Sequence, residues 1–174
     1  MRALAISALT SILLLAGVAS SHAAEEGKVQ AMAVLQGEGT IVHVGEKESM
    51  LVGVLEGVMF IATNKGPLHL AKMACPLRAM VGSDLNQSID GRCLLSDADG
   101  NQVYAAFTCK GSHMEGCSGE FKLTGGSGKF KGITGSSNFV FRSTTQDLAS
   151  EDVGVMSRKA IGLGVWPELN YRIP

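Results

Sequence analysis

Short runs of Val, Ile, Leu, Met and Phe, set apart by glycine, asparagine and aspartate, recur along the chain from residue 29 onward. Runs of this length bounded by turn-forming residues read as strands. The pattern predicts first strands at residues 29–35 and 40–44, with Gln36-Gly37-Glu38-Gly39 between them. A long strand follows at 50–61, broken only by Gly53, Glu56 and Gly57. Asn64-Lys65-Gly66-Pro67 is a turn signal, and residues 68–75 come after it as a strand. Residues 92–96 and 102–109 flank Asp97-Ala98-Asp99-Gly100-Asn101, where Asp-Gly supplies the positive φ angles of a hairpin turn. Residues 121–124 and 137–145 surround a glycine-rich turn, and 156–163 make the last strand. Helical periodicity is weak, with room for a turn or two only at 79–87 and 145–153.

About eight strands without long alternating helices argue for an antiparallel barrel or sandwich over any βαβ arrangement. The 22 glycines are spread among the strands rather than pooled in a linker. Glycine-punctuated strands suit a sheet that bends sharply enough to close. The expected fold is therefore all-β, an eight-stranded antiparallel barrel.

The N-terminus changes the picture of where this barrel works. Arg2 is followed by an apolar and small-residue stretch over 3–19, then by Ser20-Ser21-His22-Ala23-Ala24. That order is a secretory signal peptide, with small residues at Ser21 and Ala23 placing the cut after Ala23 and Ala24 as the runner-up. The apolar stretch is too short for a spanning helix, which needs about 20 residues, and no cysteine stands at the cleavage site for a lipid. The expected organisation is a removed signal over 1–23 and one domain over 24–174, periplasmic or secreted, with no membrane span once the signal is gone. The formal charge of −1 moves to about −2 when Arg2 leaves. No basic run survives, so nucleic acid is not an implied partner.

All four cysteines, Cys75, Cys93, Cys109 and Cys117, fall after the signal, and an even count in an oxidising compartment reads as two disulfides. Three pairings are open. Spacing favours Cys109 with Cys117, which bracket the polar segment 110–116, leaving Cys75 for Cys93. No Cys-x-x-Cys pair occurs, so zinc and thioredoxin-like readings lack their motif.

The segment Leu123-Thr124-Gly125-Gly126-Ser127-Gly128-Lys129-Phe130-Lys131-Gly132-Ile133-Thr134-Gly135 invites a phosphate-binding reading, but the spacing refuses it. A P-loop needs glycine where Leu123 stands and Ser or Thr where Phe130 stands, and the dinucleotide fingerprint needs glycine at Lys131. The segment resembles the Gly-Gly-Ser/Thr-Gly-x-Phe-x-Gly-x-x-Gly element of the allene oxide cyclase and dirigent superfamily, and many bacterial secreted proteins as well. The matching residues are Gly125, Gly126, Ser127, Gly128, Phe130, Gly132 and Gly135, followed by Phe139 and Phe141. The strong match covers about 20 residues and a compatible strand pattern about 50 more. The resemblance implies an eight-stranded barrel in which the glycines form a structural turn and Phe130 plugs inward. The family's catalytic residues do not map onto this chain, so cyclase chemistry is not carried over.

Glu56 is the main candidate for chemistry, because it interrupts Val52, Val54, Val58 and Phe60 on one face of the long strand. If that face lines the barrel, Glu56 is a carboxylate in an apolar cavity, fit to act as acid, base or ligand anchor; if it faces out, Glu56 is an ordinary surface residue. Phe60, Tyr104 and Arg142 complete the candidate ligand-binding set. His43, His69 and His113 are not spaced as ligands. His113-Met114 admits soft-metal binding such as Cu(I), but chance adjacency is the stronger reading. Asp97, Asp99 and Asn101 do not fit an EF-hand, since Gly100 falls fourth and Thr108 twelfth. No cofactor or metal is expected, and no Gly-x-Ser-x-Gly elbow or Ser/His/Asp set supports a hydrolase.

Three functions are open on these grounds: a binding module for a small apolar ligand in the barrel mouth, an isomerase or cyclase using Glu56, or a structural or interaction protein, as a homo-oligomer among other forms, with a filled barrel. A cavity of roughly 300 Å³ or more, typical of ligand pockets, separates the first two from the third. The direction of Glu56 separates the first from the second.

Overall fold

The computed structural model of the chain describes residues 24–112, 115–148 and 155–174. The strands are β1 (Glu25–His43), β2 (Glu48–Ile61), β3 (Ala71–Gly82), β4 (Asn86–Ser96), β5 (Gln102–Ser112), β6 (Gly116–Gly126), β7 (Thr134–Leu148) and β8 (Val155–Ile173), with one 3-10 turn at Gly128–Phe130. Each strand pairs antiparallel with its neighbour in sequence, and β1 pairs with β8, so the sheet closes into an eight-stranded barrel. Closure leaves no unpaired strand edge to be covered. The signal at 1–23, the pair His113-Met114 and most of the expected helical turn at 145–153 lie outside the described residues.

The two strands expected at 29–35 and 40–44 are a single strand, β1. Inward and outward positions alternate without a break through Gln36-Gly37-Glu38-Gly39, with the glycines turned in. Gly37 faces Leu55 on β2, and Leu35 faces Gly57. A Cβ on Gly37 would strike the Val54 carbonyl oxygen and come within 2.9 Å of Leu55 Cδ2. The glycine is there for close approach between strands, not for a turn.

Other boundaries also move. The strand expected at 68–75 begins at Ala71; Leu68 is buried under the end of the barrel instead. No helix forms at 79–87, which holds the end of β3, a tight turn and the start of β4. The Asp84 carboxylate fixes that turn by accepting from the Asn86 backbone N–H at 3.0 Å and its side-chain amide at 2.7 Å. Side chain to backbone bonds of this kind compete with helix. The hairpin between β4 and β5 is as the Asp-Gly signal requires: Gly100 has φ 83, and Asp97 Oδ1 accepts from the N–H groups of Asp99 and Asn101, each at 2.9 Å.

β8 runs ten residues beyond the expected end at 163. Its register against β1 shifts between Ala31↔Trp166 and Val29↔Leu169, beside Pro167. Proline has no N–H to give the ladder and sits at bulges. The bulge turns both Trp166 and Leu169 inward, and both are buried.

One end of the barrel is packed solid by Ile61, Leu68, Leu95, Val103, Leu123, Phe130, Ile133 and Leu169. The glycine-rich element joins β6 to β7 across this end, and Phe130 is its buried plug. Gly128 has φ 58, and a Cβ there would collide with Asn101 Oδ1. Lys129 Nζ reaches Asp97 Oδ2 at 2.6 Å, and the Ser127 N–H donates to the Gln102 carbonyl at 2.8 Å, so the element is tied to the β4–β5 turn. The hydrogen bond from Lys129 holds the Asp97 carboxyl down to about 2.

Both disulfides form with the pairing that spacing favours. Cys75–Cys93 joins β3 to β4 and Cys109–Cys117 joins β5 to β6, and all four cysteines are buried inside the barrel.

Candidate functional site

The other half of the barrel interior is not filled. Toward the end carrying the β1–β2 and β3–β4 turns, inward residues become small or glycine: Gly37 and Gly39 on β1, Gly53 on β2, Ala79 on β3 and Ala160 on β8. They leave a cavity of about 100 Å³ that opens to solvent. Leu35, Leu51, Leu55, Leu77 and Ile89 form its aliphatic wall, and both disulfides border it.

An aromatic cluster makes the remaining wall. Trp166 stacks on Phe139, with centroids 6.0 Å apart and planes at 17°, and meets Phe121 edge-on at 5.4 Å. Phe107 meets Phe139 edge-on at 5.7 Å. Such offset and edge-to-face pairs lock the rings relative to one another. Polar groups are few. Gln87 and Ser143 border the cavity, and the Gln87 amide donates to the Ser112 carbonyl at 3.0 Å. Among the described residues the one ionisable group on the border is Glu38, whose carboxylate is outside in an ion pair with Lys159 at 2.8 Å.

None of the four expected ligand-binding residues reaches this cavity. Glu56, Phe60, Tyr104 and Arg142 all occupy outward positions of their strands and are exposed. On β2 the inward set is Leu51, Gly53, Leu55, Gly57 and Met59, so Val52, Val54, Glu56, Val58 and Phe60 face out. The Tyr104 hydroxyl donates to Gln102 Oε1 at 3.1 Å on the outer surface, and Phe60 meets His69 edge-on. Glu56 is therefore not a carboxylate in an apolar cavity. The cavity residue that sequence reasoning missed is Trp166; its signal was the Trp-Pro pair, where proline marks a bulge that keeps a large side chain inside.

The chain matches no protein-family model and no curated protein.

The two described histidines, His43 and His69, sit as structural groups. His69 Nδ1 accepts from the Ile61 backbone N–H at 3.1 Å, and His43 Nδ1 lies 2.9 Å from Ser49 Oγ. Among the described residues no three His, Cys, Asp or Glu side chains converge to hold a metal ion. No helix among them is long and apolar enough to cross a membrane. Two buried disulfides are compatible with an oxidising compartment.

The barrel's exterior is two-sided. On β8, β1 and β2 it carries Ile161 at 62% exposure, Val34 at 58% and Val52 at 51%, together with Met32, Val54, Phe60 and Leu163. Across β4, β5 and β6 the outward positions are mostly polar, among them Ser88, Asp90, Arg92, Thr108, Lys110, Ser118, Glu120 and Lys122. Gln36, Glu56 and the Glu38–Lys159 ion pair interrupt this apolar surface, which still gathers on one side as interaction sites do.

Proposed function

We propose that this protein is a binding module of the periplasm or the extracellular space that takes the end of a small apolar ligand into its barrel. The observation that carries this reading is the half-open cavity walled by leucine, phenylalanine and tryptophan at one end of an otherwise solid barrel. At about 100 Å³ it falls below the 300 Å³ expected of a whole-ligand pocket. An apolar cavity of about 150 Å³ holds a benzene ring, so this smaller one takes a short alkyl segment or part of a ring, with the rest of the ligand in the mouth. Val44 and Leu85 stand exposed on the turns at that mouth and extend the apolar path outward. Among the described residues no acid or base side chain points into the cavity, which supports a carrier over an isomerase or cyclase. The glycine-rich element and the closed eight-stranded sheet support kinship with the allene oxide cyclase and dirigent barrels.

Native mass spectrometry of protein purified from the exported fraction tests this reading. A co-purifying neutral small molecule is expected, as is saturable quenching or shift of tryptophan fluorescence by toluene. Absence of both would refute the binding reading.

The apolar half of the exterior favours a second reading, self-association. Three adjacent strands, β8, β1 and β2, spaced about 4.8 Å apart give a face roughly 14 Å wide, and nine residues of each give about 30 Å of length. That footprint, roughly 430 Å², is about half the roughly 800 Å² per partner of a standard interface, so it fits a small, weak self-association. Sedimentation velocity of the protein and of Val34→Lys/Ile161→Lys decides it: oligomers dispersed by the substitutions support the reading, and a monomer at all concentrations rejects it.

A further inference from the structure

Two neutral polar side chains among the described residues border the cavity, Gln87 on β4 and Ser143 on β7. The Gln87 amide is committed to the end of β5, donating to the Ser112 carbonyl at 3.0 Å. Ser143 differs from it in having nothing to hold. It takes an inward position between the exposed Arg142 and Thr144, two residues nearer the mouth than the buried Phe141. Its partner in register on β8 is Gly162, with Ala160 next toward the mouth, so no large side chain of that strand covers it. The half-buried hydroxyl makes no hydrogen bond among the described residues.

We infer that Ser143 holds the oxygen of a neutral head group, an alcohol or a carbonyl, whose short alkyl tail enters the apolar cavity below it. This rests on the binding reading above and deepens it. A serine hydroxyl both donates and accepts, so it serves either head. A few polar groups at an otherwise apolar site fix the orientation of what binds there. With the oxygen held near the mouth, the tail points toward Phe141, Phe139 and Trp166. An anionic head would approach a rim where the exposed Glu46, Glu48, Asp84 and Glu115 outnumber Lys47 among the described side chains, and like charge repels it. An ammonium head has three protons to place, and among the described residues no carboxylate points into the cavity to receive them.

Two probes, 1-hexanol and toluene, are titrated into the unaltered protein and into Ser143→Ala. Binding is read from saturable shifts of the Gly37, Gly39 and Gly53 amide peaks in nitrogen–proton correlation spectra, since these glycines border the cavity. The dispersion of the same spectra shows that the variant is folded. The substitution should weaken 1-hexanol by about two- to tenfold, the ratio one net hydrogen bond supplies. Toluene, which has no oxygen, should bind both proteins alike. Hexanoate and hexylamine at neutral pH should bind the unaltered protein more weakly than 1-hexanol. Equal affinity of 1-hexanol for the two proteins, or an equal loss for both probes, overturns the role of Ser143 and leaves the binding reading intact. Hexanoate or hexylamine binding as tightly as 1-hexanol overturns the neutral head. Binding of neither 1-hexanol nor toluene to the unaltered protein overturns this inference and the binding reading together.

Discussion

Replacing Cys75 and Cys93 together by alanine should cost the barrel about 5 kcal/mol, and replacing Cys109 and Cys117 slightly less. The bonds close loops with sequence separations of 18 and 8 residues. Loop-closure entropy lost from the unfolded chain gives about 3 kcal/mol for the longer loop and about 2.5 kcal/mol for the shorter. Each substitution also deletes a buried sulfur, at roughly 1 kcal/mol apiece. Against a usual total of about 5–15 kcal/mol, either pair takes a large share of the stability. The assay is equilibrium urea unfolding followed by Trp166 emission. A third sample, the unaltered protein refolded in reductant, separates the two contributions because it keeps every sulfur. The loops do not overlap in sequence, so its loss should approach the sum of the two entropic values, about 5.5 kcal/mol. A loss under about 1.5 kcal/mol for the Cys75/Cys93 pair would refute the reasoning. So would a Cys109/Cys117 pair costing more than Cys75/Cys93 by over about 1 kcal/mol.

Three further outcomes follow from the geometry. Gly37→Val drives a branched side chain into the Val54 carbonyl and Leu55, and should destabilise by about 1–3 kcal/mol in urea unfolding; an unchanged midpoint means the strands separate freely there. Asp97, held at about 2 against an ordinary 3.8 by the Lys129 hydrogen bond, contributes stability that is present above about pH 4. That contribution is lost as pH falls toward about 2, and Asp97→Asn should flatten the acid limb of the stability profile in this window; an identical limb in both proteins contradicts the assignment. Leu85 has φ 62 and an exposed side chain, so Leu85→Asn should raise stability by about 1 kcal/mol by relieving a left-handed backbone, read as a higher melting temperature; a lower one shows that the leucine packs in solution.

Much of the barrel was legible along the chain because strand formation is local. The hairpin around Asp99-Gly100 needs only two neighbouring residues with the right φ preference, and the Cys109–Cys117 pairing needs only a short loop. The glycine-rich element likewise announced a turn, and Phe130 its plug. Direction was not legible. On β2 the outward set Val52, Val54, Val58 and Phe60 is more apolar than the inward set with Gly53 and Gly57, so hydropathy alone left the direction of Glu56 open. Only closure of the barrel, which fixes the curvature and forces glycine where strands crowd the interior, decides which face is concave. The same holds for Trp166. Proline 167 ends a strand when read locally, whereas in the barrel it marks the bulge through which β8 continues, and the tryptophan reaches the cavity because β1 and β7 hold it there from both sides.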